Sequence, residues 1–382
     1  MHTAAVIFEG GGAAGDPLQQ QIRQLRQAVT LDSLVKYQDA GLDQVVLATD
    51  QPDLAREALR LGARIRDTQE ERPFHFGRVL QQVVRESGAG AVLYCSGAGL
   101  PLITRQQIQW ILGKLAERPP CVVVNNVQSA DLVAWNPASY IDRIEPPESD
   151  NRLGWLLQAA GMELILIPHS AAIHFDLDTP TDFLILHLSG GAGPRARAAL
   201  AQLDWPLERL QAAADLLASD LPEVALLGRV GSSVVEYMNR NLRVRLRIFS
   251  EERGMKALGR LEAGTVTSLV GDLLEDVGPE RFFRRLESIC DAVFFDTRVV
   301  FANRGRRVSE WDRFCSDLGR VEAITDPWVR AFTEAAFSCR IPVVLGGHSV
   351  VAGGLWVLVD RAIAARGGTG GSFAPPGWLM VQ

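Results

Sequence analysis

The feature that most constrains the fold of this chain is the regular alternation of strand-length apolar runs with helical patterns. Such alternation is typical of βα units, in which a helix connects two parallel strands. In the first half, strands are predicted at residues 4–8, 44–48, 91–95, 121–124 and 164–167. The alternation begins afresh after Pro222, with predicted strands at 224–230, 243–249, 292–302, 321–324 and 342–345. The sequence therefore predicts an α/β protein with two mostly parallel sheets.

The length of the chain indicates more than one folded unit. Single hydrophobic cores stop growing at about 250–300 residues, and this chain has 382. Three glycines and a proline fall within residues 188–194, which is the strongest break in the pattern. We therefore predict an α/β domain at 1–190, a linker with one helix at 191–221, a second, three-layer α/β domain at 222–366 and an extended tail at 367–382.

Charge and cysteine content argue against several classes of partner. The net charge is −6 and the basic residues form no long run, so neither nucleic acid nor a membrane is an expected partner. The five cysteines are widely spaced and lack a CxxC pair, which favours reduced core residues over a metal or disulfide role. No apolar stretch approaches the roughly 20 residues that span a bilayer. The cytoplasm is therefore the expected location, and the oligomeric state stays open, with a homo-oligomer allowed.

A glycine-rich loop follows the first predicted strand. Glu9 is followed by Gly10, Gly11 and Gly12. Glycines let backbone N–H groups approach a phosphate or a base closely, because no Cβ stands in the way. We therefore predict that these three glycines bind a nucleotide. The alternative is that the loop serves close packing alone.

Three stretches of the first half together resemble a known family. They are the strand and glycine loop at residues 4–15, the segment 92–104, and the aspartate-rich turn at 175–183. The turn is the most specific of the three and contains Asp176 and Asp178. Over residues 4–188 the chain resembles the nucleotidyltransferase family with a nucleotide-diphospho-sugar transferase-like fold. That family includes the molybdenum-cofactor and 2-phospho-lactate guanylyltransferases.

The resemblance implies roles for particular residues. It implies that the three glycines hold the nucleotide and that Asp176 and Asp178 bind Mg²⁺. The metal would stabilise charge while a small phosphorylated or carboxylated acceptor attacks the α-phosphorus and pyrophosphate leaves. Arg23, a cation that follows the glycine loop, then joins the two aspartates as a catalytic residue.

The sequence departs from the family's pattern at two points. No lysine occurs before Lys36, and Gly99 stands where the family carries a metal-binding aspartate. Each missing electrostatic contact removes roughly 3–4 kcal/mol of transition-state stabilisation. Two hypotheses therefore stay open: an enzyme with weak or lost nucleotidyl transfer, and a non-catalytic protein that binds a nucleotide or sugar nucleotide or acts as a scaffold. Asp178 has a further alternative, since an aspartate before Thr179 and Pro180 is typical of a helix cap.

Polar residues follow the predicted strands of the second half. In open parallel sheets, ligands bind outside the carboxyl ends of the strands, and a glycine turn that leads into a helix offers N–H groups to an anion. We predict an anion site there, formed by Arg229, Arg253, Asp296, Arg298, Gly347, His348 and Ser349. The alternatives are that Ser349 is an ordinary helix cap, and that this half carries a separate hydrolytic or transfer activity.

Overall fold

The computed structural model describes residues 1–11, 15–127 and 130–368. Gly12 of the predicted nucleotide loop and nearly all of the predicted tail lie outside the described residues. The first half contributes strands β1 (Thr3–Phe8), β2 (Gln44–Thr49), β3 (Arg64–Asp67), β4 (Ala91–Ser96), β5 (Cys121–Val124), β6 (Leu132–Asn136) and β7 (Glu163–Leu166). The second half contributes β8 (Glu223–Gly228), β9 (Arg245–Ser250), β10 (Ala292–Asp296) and β11 (Val343–Gly346).

Helices connect almost all of these strands. They are α1 (Pro17–Asp39), α2 (Pro52–Arg60), α3 (Phe76–Ser87), α4 (Arg105–Glu117), α5 (Leu153–Ala159), α6 (Ala171–His174), α7 (Pro180–Ser189), α8 (Pro194–Leu200), α9 (Glu208–Leu217), α10 (Ser232–Asn241), α11 (Leu269–Val277), α12 (Pro279–Glu287), α13 (Glu310–Asp317), α14 (Pro327–Phe337) and α15 (Gly353–Ala365). Short 3₁₀ helices lie at Ala138–Arg143, Asp150–Arg152, Val300–Gly305, Val321–Ala323 and His348–Val351. None of the helices in the described ranges combines the length and apolar character needed to cross a membrane.

The first sheet has seven strands in the order β3-β2-β1-β4-β6-β5-β7. Only β6 runs antiparallel to its neighbours β4 and β5, and the other pairs are parallel. The central strands β1 and β4 are apolar and almost wholly buried, as expected for parallel strands covered on both faces. The chain moves from β1 to β2 on one side and reaches β4 on the other, so the carboxyl edge between β1 and β4 is the switch point at which such sheets bind ligands.

The second sheet has four parallel strands in the order β11-β10-β8-β9. Helices α12 and α14 pack aromatic side chains against its centre. The rings of Phe283 and Phe332 lie 6.5 Å and 5.8 Å from that of Phe295 in β10. The predicted fold class, α/β with a mostly parallel first sheet and a second α/β sheet, is therefore confirmed.

One hydrophobic core extends from the first half into the second. Its buried members include Leu25 of α1, Phe183 of α7, Phe294 of β10 and Leu358 of α15. The segment predicted as a linker takes part in this packing, because α8 lies against α1 and α9 lies against β11. The cores on the two faces of the first sheet are separate clusters.

Helix α8 is held to α1 by a buried aspartate. The Asp32 carboxylate accepts hydrogen bonds from the backbone N–H groups of Arg195 at 3.2 Å and Ala196 at 2.9 Å. Arg195 also places its guanidinium 3.3 Å from the same carboxylate. The first turn of α8 therefore takes its hydrogen-bond acceptor from a distant helix rather than from its own cap.

Two predicted strands of the second half need correction. Residues 321–324, predicted as a strand, form a 3₁₀ turn at Val321–Ala323. The predicted strand at 292–302 ends at Asp296 and is followed by the 3₁₀ helix Val300–Gly305. Both errors arise because a short run of mainly apolar residues in a turn has the same composition as a strand.

Candidate functional site

The end of β1 leads directly into a buried ion pair. Arg26 of α1 donates from Nε to Glu9 Oε1 and from Nη2 to Glu9 Oε2, both at 3.0 Å. Its Nη1 donates to the carbonyl oxygen of Leu177 at 2.9 Å. Burial by itself lowers the pKa of Arg26, but the charge and hydrogen bonds of Glu9 outweigh it and raise the pKa above its usual value. Arg26 therefore ties the glycine loop to the aspartate-rich turn.

The glycine loop itself packs around Asp50, which follows β2. The N–H of Gly11 donates to Asp50 Oδ1 at 3.3 Å. A Cβ at Gly10 would lie 3.1 Å from the same oxygen, and Gly11 has a φ of 137°, a conformation that side chains disfavour. Both described glycines are therefore required by the local geometry, and the Gly11 N–H already has an acceptor.

The loop after β4 packs tightly against the Glu9 side chain. A Cβ at Gly97 would lie 2.5 Å from Glu9 Cβ and 2.7 Å from Thr30 Oγ1. A Cβ at Gly99 would overlap Ser96 Oγ. Gly99 is the position at which the resemblance predicts a metal-binding aspartate. The Ser96 side chain would have to move to accommodate any larger residue there.

The aspartate-rich turn caps helix α7. Asp182 Oδ2 accepts hydrogen bonds from the N–H groups of Thr179 at 2.7 Å and Asp178 at 3.0 Å, and from Thr179 Oγ1 at 2.9 Å. Thr179 and Asp182 together form a capping box. The cap is therefore supplied by these two residues, and the exposed Asp178 carboxylate is not needed for it.

Carboxylates gather around Asp176. Burial raises the pKa of Asp176 well above its usual value, and the charges of Asp178, Asp131 and Asp182 add to the effect. Burial also raises the pKa of Asp131 to about 6 and, with the charge of Asp178, that of Asp182 to about 7. These shifts mark a region of crowded negative charge beside Arg26.

The fit of this region to a resident metal ion is poor. Across residues 1–11, 15–127 and 130–368, no group of three or more His, Cys, Asp or Glu side chains is arranged to hold a metal. Asp176 and Asp178 are thus two carboxylates without a third protein ligand, and the raised pKa of Asp176 favours its protonated form. Mg²⁺ can be bound through one or two carboxylates only when phosphates and water supply the other ligands.

Arg23, which we group with Asp176 and Asp178, lines a cleft of about 420 Å³ between α1 and the start of α2, together with glutamines and Asp53. One turn further along α1, Arg26 is the arginine that acts on Asp176 and Asp178. The place of Arg23 beside the two aspartates therefore stays a prediction, because a helical spacing of three residues gives no means of choosing between the two arginines.

In the second sheet, the ends of β8 and β10 meet in a buried ion pair. Arg229 donates from Nε to Asp296 Oδ2 at 2.6 Å and from Nη2 to Oδ1 at 3.0 Å. Burial opposes ionisation of Asp296, but the charge and hydrogen bonds of Arg229 prevail and hold its pKa below the usual value. The two residues therefore lie together as expected, with Asp296 as the partner of the arginine.

The other two predicted arginines differ in their surroundings. Arg298 donates to both oxygens of the buried Asp317, at 2.9 Å and 2.5 Å. Arg253 is exposed and makes neither a hydrogen bond nor an ion pair with any described residue. A ligand anion can therefore use Arg253, whereas Arg229 and Arg298 already have carboxylate partners.

The turn after β11 completes this group. The N–H of Thr297 donates to Gly346 O at 3.0 Å, which places the turn beside the end of β10. His348 is accessible to solvent but surrounded by protein, and desolvation lowers its pKa to about 4, assisted by the charges of Arg229 and Arg253. Ser349 is buried and accepts a hydrogen bond from the N–H of Gly354 at 3.0 Å, so its hydroxyl serves the first turn of α15.

The two predicted sites lie directly against each other. A Cβ at Gly347 would be 2.8 Å from Thr179 Cγ2, and Thr181 Oγ1 donates to Leu345 O at 2.7 Å. Desolvation and the charges of Arg229 and Arg253 lower the pKa of His348, whereas the charge of Asp296 and, across this junction, that of Asp178 raise it. We call this junction the joint cleft, with Arg26, Asp176 and Asp178 on its first side, or wall, and Arg253, Asp296 and His348 on its second.

A stack of rings closes the junction behind the joint cleft. His174 lies 5.7 Å from the ring of Trp356, which in turn stacks on Tyr237 at 4.7 Å. His169 Nδ1 and His174 Nε2 share a short hydrogen bond. His174 is therefore a packed histidine, with a pKa that burial lowers to about 4. Its partner Trp356 comes from a distant part of the chain, which is why no sequence signal points to the stack.

No model of a known protein family matches the sequence, and no curated protein matches it either. Solved structures are similar to about half of this chain. A nucleotidyl transferase from Methanothermobacter shares 13% identity over 48% of this chain and 95% of its own, with a TM-score of 0.39. CMP:2-keto-3-deoxy-manno-octonic acid synthetase, in complex with CTP, shares 16% over 53% of this chain and 100% of its own, with a TM-score of 0.35.

A third similar structure is glucosyl-3-phosphoglycerate synthase from Mycobacterium tuberculosis, in complex with Mn²⁺, UDP and glucosyl-3-phosphoglycerate. It shares 11% identity over 52% of this chain and 78% of its own, with a TM-score of 0.33. Each of the three likenesses covers about half of this chain. At these identities and TM-scores they identify neither a substrate nor a reaction.

Proposed function

We propose that this protein binds a nucleotide and a small phosphorylated or carboxylated acceptor on the two walls of the joint cleft, with nucleotidyl transfer between them weak or lost. The observation that carries the proposal is the junction between Thr179 and Gly347, which sets the predicted nucleotide wall against the predicted anion wall. A transferase needs its two substrates within reach of each other, and sites on either side of this junction would meet that need.

The nucleotide wall lies at the switch point of the first sheet. The loop after β1, with Gly10 and Gly11, lies beside the loop after β4, and Arg26 connects the first of these loops to the aspartate-rich turn. Ligands bind at this edge in open α/β sheets. Support also comes from the resemblance of residues 4–188 to nucleotidyltransferases. The proposal includes the narrower relation to the molybdenum-cofactor and 2-phospho-lactate guanylyltransferases.

The acceptor wall carries a cation without a partner among the described residues. Arg253 is exposed, and its positive charge helps to lower the pKa of His348. With a pKa of about 4, His348 is neutral at physiological pH and can donate one hydrogen bond and accept another. An acceptor phosphate or carboxylate would therefore pair with Arg253 and hydrogen-bond to His348.

Weak transfer follows from what the nucleotide wall lacks. Gly99 provides no carboxylate, and the raised pKa of Asp176 disfavours its charged form. Without a third ligand from the described residues, a divalent cation would enter only together with nucleotide phosphates. The alternative of a purely non-catalytic binder shares this site and differs only in the absence of turnover.

The five cysteines are all free and buried, which supports our placement of the protein in the reducing cytoplasm.

The proposal is tested by ligand binding with and without Mg²⁺. Nucleoside triphosphates and nucleotide sugars are screened by thermal shift, since a ligand of the folded state raises the melting temperature by mass action. The affinity of the best nucleotide is then measured in wild type and Asp178→Asn, and the affinity of inorganic phosphate in wild type and Arg253→Ala. Loss of one charge-assisted hydrogen bond, about 1.5–3 kcal/mol, predicts at least a tenfold weaker affinity for phosphate in Arg253→Ala.

The matched control is Arg281→Ala, which removes an exposed arginine from α12. It should leave both affinities unchanged. Pyrophosphate release should be slow or absent even with nucleotide bound. The proposal is wrong if no nucleotide stabilises the protein, or if Arg253→Ala binds phosphate as well as the control does.

A further inference from the structure

The second sheet ends in an exposed strand whose outer edge has no partner among the described residues. Strand β9 is the last in the order β11-β10-β8-β9, and it pairs only with β8. Five of its six side chains are exposed. Ile248 is 42% exposed and Phe249 36%. An edge strand of this length with apolar side chains is a template for pairing with another strand.

The hydrogen bonds to β8 determine which backbone groups of β9 are free. The N–H of Arg245 donates to Pro222 O at 2.9 Å, and the N–H of Glu251 donates to Gly228 O at 3.0 Å. In a parallel pair, alternate residues point both backbone groups toward the same neighbour. The odd-numbered residues of β9 therefore face β8, and Leu246, Ile248 and Ser250 direct their N–H and C=O groups outward.

This edge is complementary to itself in one antiparallel register. When Ile248 lies opposite its own copy, the outward-facing groups of Leu246 and Ser250 also meet as hydrogen-bonded pairs. The same register places Arg245 opposite Glu251 of the second copy. A register centred on Arg247 would instead put two arginines face to face, which is destabilising.

The charges at the edge favour this register. Arg245 and Arg247 are paired with Glu223 at 3.3 Å and 3.1 Å, so neither guanidinium repels a second copy with its full charge. The Glu251 carboxylate is fixed in place by a hydrogen bond from the N–H of Leu269 at 2.9 Å. A cation arriving opposite it therefore meets an ordered carboxylate.

Apolar side chains continue beyond the strand. Arg247 Nε donates to the carbonyl oxygen of Ile289 at 3.1 Å, and the Ile289 side chain is 45% exposed. At the other end of β9, Leu269 is largely exposed. Both would be covered at least in part by a strand laid along the edge, and burial of apolar surface contributes about 25 cal/mol per Å².

We infer that β9 pairs with β9 of a second copy of this chain, antiparallel and centred on Ile248, so that two four-stranded sheets become one continuous sheet. The assembly is a dimer with two-fold symmetry, in which the same surface of each copy contacts the other. It does not depend on any ligand.

The experiment measures the mass of the wild-type chain in solution over a wide range of concentrations. The expected result is a concentration-dependent species of about twice 41.7 kDa. Ile248→Lys places two ammonium groups against each other on the two-fold axis and should weaken association at least tenfold. Leu59→Lys, at a leucine of α2 that is 63% exposed, is the control and should associate like wild type.

Two further measurements keep the test independent of any one variant. Ile248→Pro removes an outward N–H without breaking a bond to β8, so it should fold, as judged by circular dichroism, and stay monomeric. In the wild type, hydrogen exchange at the amides of Leu246 and Ile248 should slow as the concentration rises. A wild-type monomer at all concentrations, or Ile248→Lys that associates like the control, overturns the inference.

Discussion

Arg298 and Arg253 both follow strands of the second sheet, yet their surroundings assign them different roles. Arg298 neutralises the fully buried Asp317, whereas Arg253 has no described partner. Removing one member of a buried ion pair leaves the other charge uncompensated. The same substitution at the two positions therefore separates a structural arginine from a ligand-binding one.

Arg298→Ala should lower the free energy of unfolding by about 3–5 kcal/mol, because Asp317 would be left buried without a cation. Arg253→Ala should change it by less than about 0.5 kcal/mol, as expected for an exposed side chain. Urea denaturation of the two variants checks this. Equal stability of both would contradict the assignment of Arg298 to the core.

Gly97→Ala should destabilise the protein by about 1–3 kcal/mol, the usual cost of forcing extra volume into a packed site. The added methyl group would press on Glu9 and Thr30 and disturb the ion pair with Arg26. Gly113→Ala is the control, since its Cβ meets nothing within 4 Å inside helix α4. That variant should gain about 0.5–1 kcal/mol from reduced backbone freedom. A destabilised Gly113→Ala together with an unaffected Gly97→Ala would refute this packing argument.

Asp182 predicts a pH dependence with a definite sign. Burial and the charge of Asp178 raise its pKa in the folded protein to about 7, whereas an aspartate in the unfolded chain has a pKa of about 4. Between these two values the folded state holds a proton that the unfolded state has lost. The contribution of Asp182 to stability therefore falls as the pH rises from about 4 to 7.

Asp182→Asn keeps an oxygen to accept the hydrogen bonds from Thr179 but cannot titrate. A tenfold difference in proton affinity corresponds to about 1.4 kcal/mol. The difference in unfolding free energy, wild type minus variant, should therefore decrease by up to about 4 kcal/mol between pH 4 and pH 7 and stay constant above it. Chemical denaturation at a series of pH values measures this difference. A difference that rises with pH would show that Asp182 is ionised in the folded protein.

Sequence reasoning finds the residues of the joint cleft more readily than their partners. Asp176 and Asp178 are predicted from the family resemblance, and His348 is predicted because polar residues after buried strands meet at the carboxyl edge of a sheet. The pairing of Glu9 with Arg26 is missed, since two residues 17 positions apart carry no mark of their contact. Short-range spacing cannot reveal which of several arginines a buried carboxylate will select.

Among the elements, most buried apolar strands are predicted correctly, and charged or irregular elements are missed. Strand β3, with sequence RIRD, lies at an edge of the sheet and has too few apolar side chains to stand out. Helix α1 begins at Pro17, where Asp16 caps it by accepting from the N–H of Gln19 at 2.8 Å. Its first part is rich in glutamine, so the helical pattern of apolar residues is weak there.

Helix α8 gives a prediction at the scale of an element. Asp32→Ala would leave the N–H groups of Arg195 and Ala196 without their acceptor, and loss of such a cap costs about 0.5–2 kcal/mol. Hydrogen exchange at these two amides should be faster than in wild type. Asp32→Asn, which retains an acceptor oxygen, should show a smaller change. Unchanged exchange in Asp32→Ala would mean that water replaces the carboxylate without cost.

At the scale of the whole molecule, the shared core bears on whether the halves fold separately. Side chains of α1 and α7, such as Leu25 and Phe183, are buried in the same cluster as the second sheet. A Cβ at Gly353, where α15 begins, would overlap the carbonyl oxygen of His174 and lie 2.8 Å from the Cα of Phe175. The division at residue 190 that the sequence suggests therefore crosses a packed region.

We expect the chain to unfold in one cooperative transition. Scanning calorimetry should give a calorimetric enthalpy equal to the van't Hoff enthalpy, the usual criterion for two-state unfolding. A fragment of residues 1–190 should fail to unfold cooperatively, because it exposes the apolar faces of α1 and α7. Two resolved transitions in the full chain, or a fragment with a sharp transition of its own, would show that the halves are independent.

The position of α15 has a consequence for synthesis of the chain. Its first residues lie against His174, and the neighbouring turn at Gly347 lies against Thr179, so each wall of the joint cleft is supported by residues translated long after the first sheet is complete. A ribosome-bound chain that has not yet released residues 346–365 from the exit tunnel lacks His348 and α15, and so has only part of the second wall. The apolar surface of α7 that α15 covers stays exposed for that time. Chaperones that recognise exposed apolar segments are therefore expected to bind the chain at this helix during translation.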